Sequence, residues 1–189
     1  FSNKLTEMIR LHQLTNGFCK DDDGNMLEFG QAKINALHEV IEETDDKMII
    51  WSNYVYNINQ IKEFLTKHYG KDSFVEIYGE TKVADRTKAI EAFQNDSKVR
   101  FFVSNPTTGG YGLTLTAAKT VVYFSNSYNL EVRKQSEDRA HRSGQTGTVV
   151  ILDLITQNTI DEKIMKALTK KGQIAAKTLG EEELKDWLL

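Results

Sequence analysis

Several features that would assign a protein to a class are scarce in this sequence. It has a single cysteine, Cys19, and a single proline, Pro106, in 189 residues. One cysteine forms no internal disulfide and no cysteine-based metal site, so we expect an inert thiol in a reducing compartment. No apolar run approaches the ~20 residues of a membrane span, and no signal-peptide pattern opens the chain. We therefore expect an intracellular protein with no membrane partner.

An excess of positive charge is also absent. The formal net charge is −3, from 24 Lys and Arg against 27 Asp and Glu. This balance argues against a nucleic-acid binder that is basic over its whole surface. It leaves room for a local basic groove, because only the surface that faces phosphates has to be positive. Hydrophobic residues make up 40% of the chain, which is enough for one buried domain.

The usual loops that hold a nucleoside triphosphate are missing too. The sequence has no Gly-x-x-x-x-Gly-Lys-[Ser/Thr] segment, and no Asp-Glu pair ends a hydrophobic strand. Without these we expect the chain to be half of an enzyme that does not bind the triphosphate and Mg²⁺ firmly alone. The acidic run at residues 21–25 lacks the spacing of a calcium-binding loop, so we predict no metal site.

What the sequence does contain is an alternation of short apolar runs and helical periodicity. The predicted class is α/β, with a mostly parallel sheet covered by helices on both faces. Strands are predicted at residues 48–51, 74–77, 99–103, 120–124 and 148–154. Helices are predicted at residues 33–43, around Ile58 to Gly70, and at 83–93, 130–143 and 159–170.

We divide the chain into three parts. Residues 1–30 are an accessory segment with a helix and a short hairpin, and residues 31–172 are the main domain. Residues 173–189 are predicted to form an amphipathic helix, in which Trp187 is one of the apolar residues. Whether this last helix packs on the main domain or on another one stays open.

A pair of arginines is the most informative feature. Gln135, Arg139 and Arg142 are spaced i, i+4, i+7, which places them on one face of a helix that Gly144 would stop. A guanidinium is planar, forked and permanently charged, and it suits phosphate oxygens. Two of them near a helix end have the geometry of an arginine finger, which stabilises charge on a transferring phosphoryl group. The alternative is a solvated helix face on which they pair with neighbouring acids.

Two further segments follow predicted strands. Residues 105–115, Asn-Pro-Thr-Thr-Gly-Gly-Tyr-Gly-Leu-Thr-Leu, form a glycine-rich joint of the kind that presents N–H groups to phosphate. Residues 77–81, Ile-Tyr-Gly-Glu-Thr, read as a strand end and a turn before the next helix. Because these segments follow strand ends, we expect them to lie at one edge of the sheet, where ligands bind in such folds.

Taken together and in this order, the segments resemble the Swi/Snf-type ATPases of helicase superfamily 2. The match is to the second RecA-like domain and covers roughly residues 30 to 170. The family's last motif, Gln-x-x-Asp-Arg-x-x-Arg-x-Gly-Gln, appears at residues 135–145, the fifth motif at 109–115 and the fourth at 47–54. Residues 125–130 depart from the family's acidic residue and Trp-Asn-Pro, and Thr114 stands where Asn is usual. These departures indicate a divergent member, with a phage or a bacterium as the expected source.

The resemblance implies a RecA-like three-layer sandwich that works with an upstream RecA-like domain of the same polypeptide. That domain would hold most of ATP and Mg²⁺, and Arg139 and Arg142 would reach across as arginine fingers. Four residues would line or serve the nucleotide cleft: Gly110, Gly112, Gln135 and Asp138. Five would contact the phosphates of double-stranded DNA: Asn53, Thr81, Lys82, Thr107 and Thr108.

Other interpretations stay open at this point. Thr107 and Thr108 suit simple turn chemistry, Lys82 suits an exposed surface lysine, and Arg86 is expected to anchor its helix against a loop. The whole protein is expected to be an ATP hydrolase that translocates on duplex DNA, and this piece alone is expected to be inactive. The alternatives are a non-catalytic binding domain with the helicase shape, or the motor half of a restriction or RNA-remodelling system.

Overall fold

The computed structural model describes residues 3–21, 23–79, 81–108 and 113–179. Its centre is a sheet of five parallel strands in the order β4-β5-β3-β6-β7. The strands are β3 (Met48–Trp51), β4 (Phe74–Ile77), β5 (Phe101–Ser104), β6 (Thr120–Tyr123) and β7 (Val150–Asp153). The predicted α/β class and the parallel sheet are confirmed, and each strand starts and ends within two residues of its predicted bounds.

Helices cover the sheet, and a small hairpin stands apart from it. The hairpin pairs β1 (Phe18–Lys20) with β2 (Met26–Glu28) in antiparallel fashion. The helices are α1 (Lys4–Thr15), α2 (Ala32–Glu42), α3 (Val55–Tyr69), α4 (Val83–Asn95), α5 (Leu130–Glu137) and α6 (Ile160–Leu179).

The strand residues alternate between two cores, one on each face of the sheet. Ile50 and Phe101 pack with α2 and α3 on one face. Trp51 and Phe102 point to the other face and pack with Phe93 of α4. The three central strands are buried on both faces and the two outer ones only partly. Burial on both faces explains why the central strands are continuous apolar runs. The predicted three-layer sandwich is therefore what the chain forms, and Trp51 is a core residue as expected.

The helix predicted for residues 130–143 is wrong in its second half. Asn129 caps its start by accepting from the N–H groups of Glu131 and Val132, but α5 ends at Glu137. The carbonyl of Arg139 accepts from the backbone N–H of Leu115 instead of continuing the helix. Residues 138–145 form a series of turns, named the arginine turn below. Gln135 is therefore on a helix, whereas the two arginines are not.

A second difference concerns the C-terminal helices. Residues 159–170 and the segment from residue 173 were predicted as separate helices, but α6 runs unbroken from Ile160 to Leu179. The proposed boundary at residue 172 stays a prediction, and Trp187 lies outside the described residues.

A buried polar cluster ties the N-terminal segment and α6 to the sheet. The Nζ of Lys33 lies 2.7 Å from Oδ2 of Asp161 and donates to Asn16 Oδ1 and to the carbonyl of Phe124, both at 3.2 Å. His12 Nδ1 lies 2.8 Å from the Tyr54 hydroxyl oxygen. Lys33 is 7% and Asp161 5% exposed. A buried charge pair of this kind is stable only with such additional hydrogen bonds.

This cluster makes stability depend on pH. Burial lowers the pKa of His12 to about 4, with the charge of Lys33 acting in the same direction and that of Asp161 opposing it. The unfolded chain binds a proton on this imidazole at higher pH than the folded chain does. The stabilisation is therefore complete above about pH 6.5 and is lost as the pH falls toward 4.

We expect His12 to account for a fall of roughly 3 kcal/mol in the free energy of unfolding across that range. Urea unfolding at a series of pH values, for the native sequence and for His12→Gln, measures it. The Gln variant should give the flatter curve. If the two curves run parallel, another group is responsible.

Candidate functional site

Three loops are joined by hydrogen bonds at the carboxyl edge of the sheet. Asn53, after β3, donates its backbone N–H to Ser125 Oγ and its side-chain amide to the Ser125 carbonyl, both at 2.9 Å. Asn105, after β5, donates its side-chain amide to the carbonyl of Asn53 at 2.9 Å. Ligands of open α/β sheets bind outside this edge. The joined loops are therefore a candidate site, and Asn53 lies in it as expected.

The two threonines of the glycine-rich joint belong to the same network. Asn105 Oδ1 accepts from the backbone N–H and the hydroxyl of Thr107, at 2.9 and 2.5 Å. The N–H of Thr108 donates to the Asn105 carbonyl at 3.1 Å. This is an Asx-turn, in which the Asn side chain accepts a hydrogen bond from the backbone N–H two residues later. Turn chemistry thus accounts for the local structure, and contact with phosphate stays a prediction for both threonines.

The loop between β4 and α4 is also built by its own contacts. Thr81 Oγ1 accepts from the N–H of Tyr78 at 3.1 Å. The Arg86 side chain donates to the carbonyls of Thr81 and Gly79, at 2.8 and 3.4 Å, so its predicted anchoring role is confirmed. Lys82 is exposed and precedes α4 without a side-chain cap. A helix that begins without a side-chain cap leaves N–H groups that suit an anion.

The arginine turn packs against residues 113–118, which follow the glycine-rich joint. Arg142 donates to Thr114 Oγ1 at 3.1 Å, and Leu115 donates its N–H to the Arg139 carbonyl at 2.9 Å. Thr114, the residue that departs from the family pattern, therefore supplies a hydroxyl that holds one of the two arginines.

The two guanidiniums are close enough to affect each other. Burial lowers the pKa of Arg139, and the charge of Arg142 lowers it further, against the opposing charge of Asp138. Arg139 is half-buried, whereas Arg142 is exposed. Two like charges held together cost electrostatic free energy that an approaching anion relieves. The arginine turn is thus suited to a phosphate group although it is not helical.

The described contacts do not bring together Gln135 and Asp138, two of the four predicted cleft residues. Gln135 is exposed and donates to Glu131 Oε1 at 3.1 Å, within its own helix. Asp138 ends α5 by donating its N–H to the carbonyl of Lys134. Gly110 and Gly112 lie outside the described residues. The roles of all four in a nucleotide cleft stay predictions.

A buried arginine that the sequence pattern did not single out supports the arginine turn from α5. Arg133 is 6% exposed and donates to Asp153 Oδ1 and Oδ2, at 2.5 and 3.1 Å, and to Asn126 at 2.7 Å. It also donates to Glu137 at 2.5 Å, and its guanidinium lies 3.5 Å from the ring centre of Tyr123. Burial lowers the pKa of Arg133, but the hydrogen bonds and charge of Asp153 raise it above its ordinary value. This residue, named the Arg133 clamp, fixes α5 on the sheet.

Metal-ligand clusters and membrane-spanning helices are both absent from the described residues. Within residues 3–21, 23–79, 81–108 and 113–179, no group of three or more His, Cys, Asp or Glu side chains converges as metal ligands would. None of the helices in the same ranges is both long enough and apolar enough to cross a membrane.

The parallel sheet, the polar loops at its carboxyl edge and the paired arginines define a RecA-like domain of the helicase type. The family described as "Helicase conserved C-terminal domain" matches residues 32–144, and the chain belongs to it. Within that family its relatives are of the Swi/Snf type, so the family resemblance is confirmed.

Two curated relatives illustrate the match. Over 141 residues the chain is 33% identical to "Chromatin-remodeling ATPase INO80" of Homo sapiens, covering 75% of this chain and 9% of that protein. Over 168 residues it is 30% identical to "Helicase SWR1" of Saccharomyces cerevisiae, covering 87% and 11%. The chain spans only 7% to 11% of the length of these and similar relatives.

Solved structures agree with the fold. The C-terminal part of the Fun30 ATPase domain superposes with a TM-score of 0.67 and 33% identity, covering 72% of this chain and 44% of that one. The Sulfolobus solfataricus SWI2/SNF2 ATPase core in complex with dsDNA gives a TM-score of 0.71 and 28% identity, covering 90% and 36%.

Proposed function

We propose that this domain is the second motor half of an ATP-dependent translocase on double-stranded DNA. The observation that carries the proposal is the arginine turn, which holds Arg139 and Arg142 within electrostatic reach of each other on a domain of this family. The relatives described as ATPases and the archaeal ATPase core in complex with dsDNA support it.

In this proposal Arg139 and Arg142 act on the γ-phosphate of ATP held by a first RecA-like domain upstream. Arg142 is exposed, while Arg139 is half-buried. Phosphoryl transfer spreads negative charge over the oxygens of the moving group, and a positioned guanidinium stabilises that charge. In this proposal the first domain also holds most of the Mg²⁺ contacts, as it holds most of the ATP. Gly110, Gly112, Gln135 and Asp138 would complete this side of the cleft.

The joined loops would hold the phosphates of duplex DNA. Asn53, Thr107 and Thr108 lie in one hydrogen-bonded network, and Thr81 and Lys82 follow the end of β4 on the same edge. Short polar side chains and backbone N–H groups bind phosphate without reading base sequence. A grip of this kind suits movement along DNA of any sequence. A net charge of −3 predicts weak DNA binding by this half alone.

ATP hydrolysis by the intact protein tests the proposal. Turnover should be low without nucleic acid and strongest with duplex DNA, compared with single-stranded DNA and RNA at equal phosphate concentration. The 189-residue domain alone should show no turnover. Stimulation by RNA alone would point to an RNA-remodelling system, and DNA cleavage tied to turnover to a restriction system. The absence of turnover in every condition would leave a non-catalytic binding domain.

A further inference from the structure

Two glutamine side chains fasten the arginine turn to the rest of the domain. The first is Gln145, the last residue of the turn. Its side-chain Nε2 donates to the carbonyls of Thr116 and Ala118, at 3.1 and 3.0 Å, and to the carbonyl of Ala140 at 3.2 Å. Its Oε1 accepts from the N–H of Gly147 at 3.2 Å. One amide therefore joins residues 113–118 to the backbone between the two arginines.

The second is Gln94, in the last turn of α4. Its Nε2 donates to Thr116 Oγ1 at 3.1 Å, and its Oε1 accepts from the N–H of Ala117 at 2.8 Å. The hydroxyl of Thr116 thus accepts a hydrogen bond from Gln94, and its backbone carbonyl accepts one from Gln145. Residues 113–118 are held between α4 on one side and the arginine turn on the other.

Packing makes this connection stiff. Leu113, Leu115 and Ala118 are buried in the same core as Ala140 of the arginine turn and Phe93 of α4. Close-packed cores transmit small displacements because they have few voids to absorb them. A shift of α4 would therefore move residues 113–118, and these hold the Arg139 carbonyl and the Arg142 side chain directly.

The other end of α4 lies at the candidate DNA surface. The helix has 13 residues and begins directly after Lys82, so it spans about 20 Å at 1.5 Å per residue. Its first turn is next to the loop of Thr81, and its last turn carries Gln94. The helix links one candidate contact surface to the other.

We propose that Gln145 and Gln94 are positioning residues. Gln145 sets the place of Arg139 and Arg142, and Gln94 makes that place depend on the contact of α4 with DNA. Gln145 holds the turn itself, and Gln94 couples the turn to α4. This inference rests on the proposed function. Both residues are proposed to act through the arginines.

Replacement by methionine separates the hydrogen bonds from the packing, because methionine has a similar length and no amide. Gln145→Met should lower kcat by about 10- to 100-fold, the size expected when a catalytic group is displaced by about 1 Å. KM for ATP should stay within twofold. Gln94→Met should keep the turnover seen without DNA and lose most of the stimulation by duplex DNA. Exposed glutamines give the matched controls, Gln173→Met on α6 and Gln157→Met in a turn.

A double variant shows whether Gln145 acts through Arg142. In an Arg142→Ala background, Gln145→Met should cause a much smaller further loss, because only the part of its effect that acts through Arg139 is left. A loss that multiplies with that of Arg142→Ala would overturn the proposal. So would a raised KM with unchanged kcat, or full DNA stimulation in Gln94→Met.

Hydrogen exchange tests the same contacts without any need for turnover. In the intact protein, Gln145→Met should speed amide exchange in peptides that cover residues 113–118 and 138–145, and leave α2 and β3 unchanged. Unchanged exchange in the first two segments would remove the physical basis of the proposal. If the native protein shows no turnover, the proposed function fails, while this measurement still decides whether the two glutamines hold the turn. Gln145→Asn, which keeps the amide on a shorter chain, should recover part of the protection.

Discussion

Replacement of Arg142 by Ala in the intact protein should lower ATP turnover by about 10³- to 10⁵-fold, the usual worth of an arginine finger. ATP binding should stay close to that of the native protein, because the first domain holds most of the nucleotide. Arg142 is the exposed member of the pair, and it donates hydrogen bonds to Thr114 and Leu113 of its own domain. Single-turnover hydrolysis and a separate measurement of ATP affinity distinguish the two steps.

Three further variants sharpen this result. Arg142→Lys keeps the charge and loses the forked geometry, so it should recover only a small part of the rate. Thr114→Val removes the hydroxyl that holds Arg142 and should cost much less than removal of the arginine. Lys163→Ala, at an exposed position on α6, controls for loss of one positive charge. Weaker ATP binding with unchanged turnover per bound ATP would show that Arg142 is not a finger.

The central strands β3, β5 and β6 could be predicted from the sequence because each is buried on both faces. A run such as residues 48–51 has no polar position to place at a surface, and this alone favours a central parallel strand. Parallel topology then places the loops that follow the strands at one edge of the sheet, which is why Asn53 and Thr107 were expected at the same edge. The contact that joins their loops was not predictable, since it depends on the amide of Asn105 and a carbonyl 52 residues away.

The end of α5 shows where periodicity stops being informative. The spacing of Gln135, Arg139 and Arg142 fits a helix, and local propensity does not oppose one. The helix ends because the carbonyls of Arg139 and Ala140 accept hydrogen bonds from Leu115 and Gln145. These partners come from another segment and from a side chain beyond the helix, so they leave no helical period in the sequence. The pairing of the arginines was predictable, but their exact support was not.

The burial of charged residues could not be predicted from the sequence either. Arg133 and Glu137 are spaced i, i+4, a pattern typical of a solvated helix face, yet both are buried. What buries them is the pairing of Arg133 with Asp153 of β7, 20 residues further along the chain. Lys33 and Asp161 are likewise joined across the fold. The sequence shows the charges but not the partners that make burial tolerable.

The Arg133 clamp should therefore be the most sensitive single position for stability. Arg133→Met should lower the free energy of unfolding by about 3–5 kcal/mol, because it removes the cation that pairs with the buried carboxylate of Glu137 and the partly buried carboxylate of Asp153. Urea unfolding of the native and variant chains measures the difference. Lys166→Met breaks a comparable spacing in the exposed pair with Glu162 and should change stability by less than about 1 kcal/mol.

A second substitution separates the loss of a partner from the loss of packing. In Arg133→Met combined with Asp153→Leu, one uncompensated carboxylate is removed, and part of the stability should return. If Arg133→Met costs no more stability than Lys166→Met, the clamp does not hold α5.

The clamp should also affect turnover, since α5 leads directly into the arginine turn. Loss of Arg133 should lower turnover together with stability, whereas loss of Gln145 should lower turnover with a smaller loss of stability. This contrast distinguishes a residue that holds the helix from one that places the arginines.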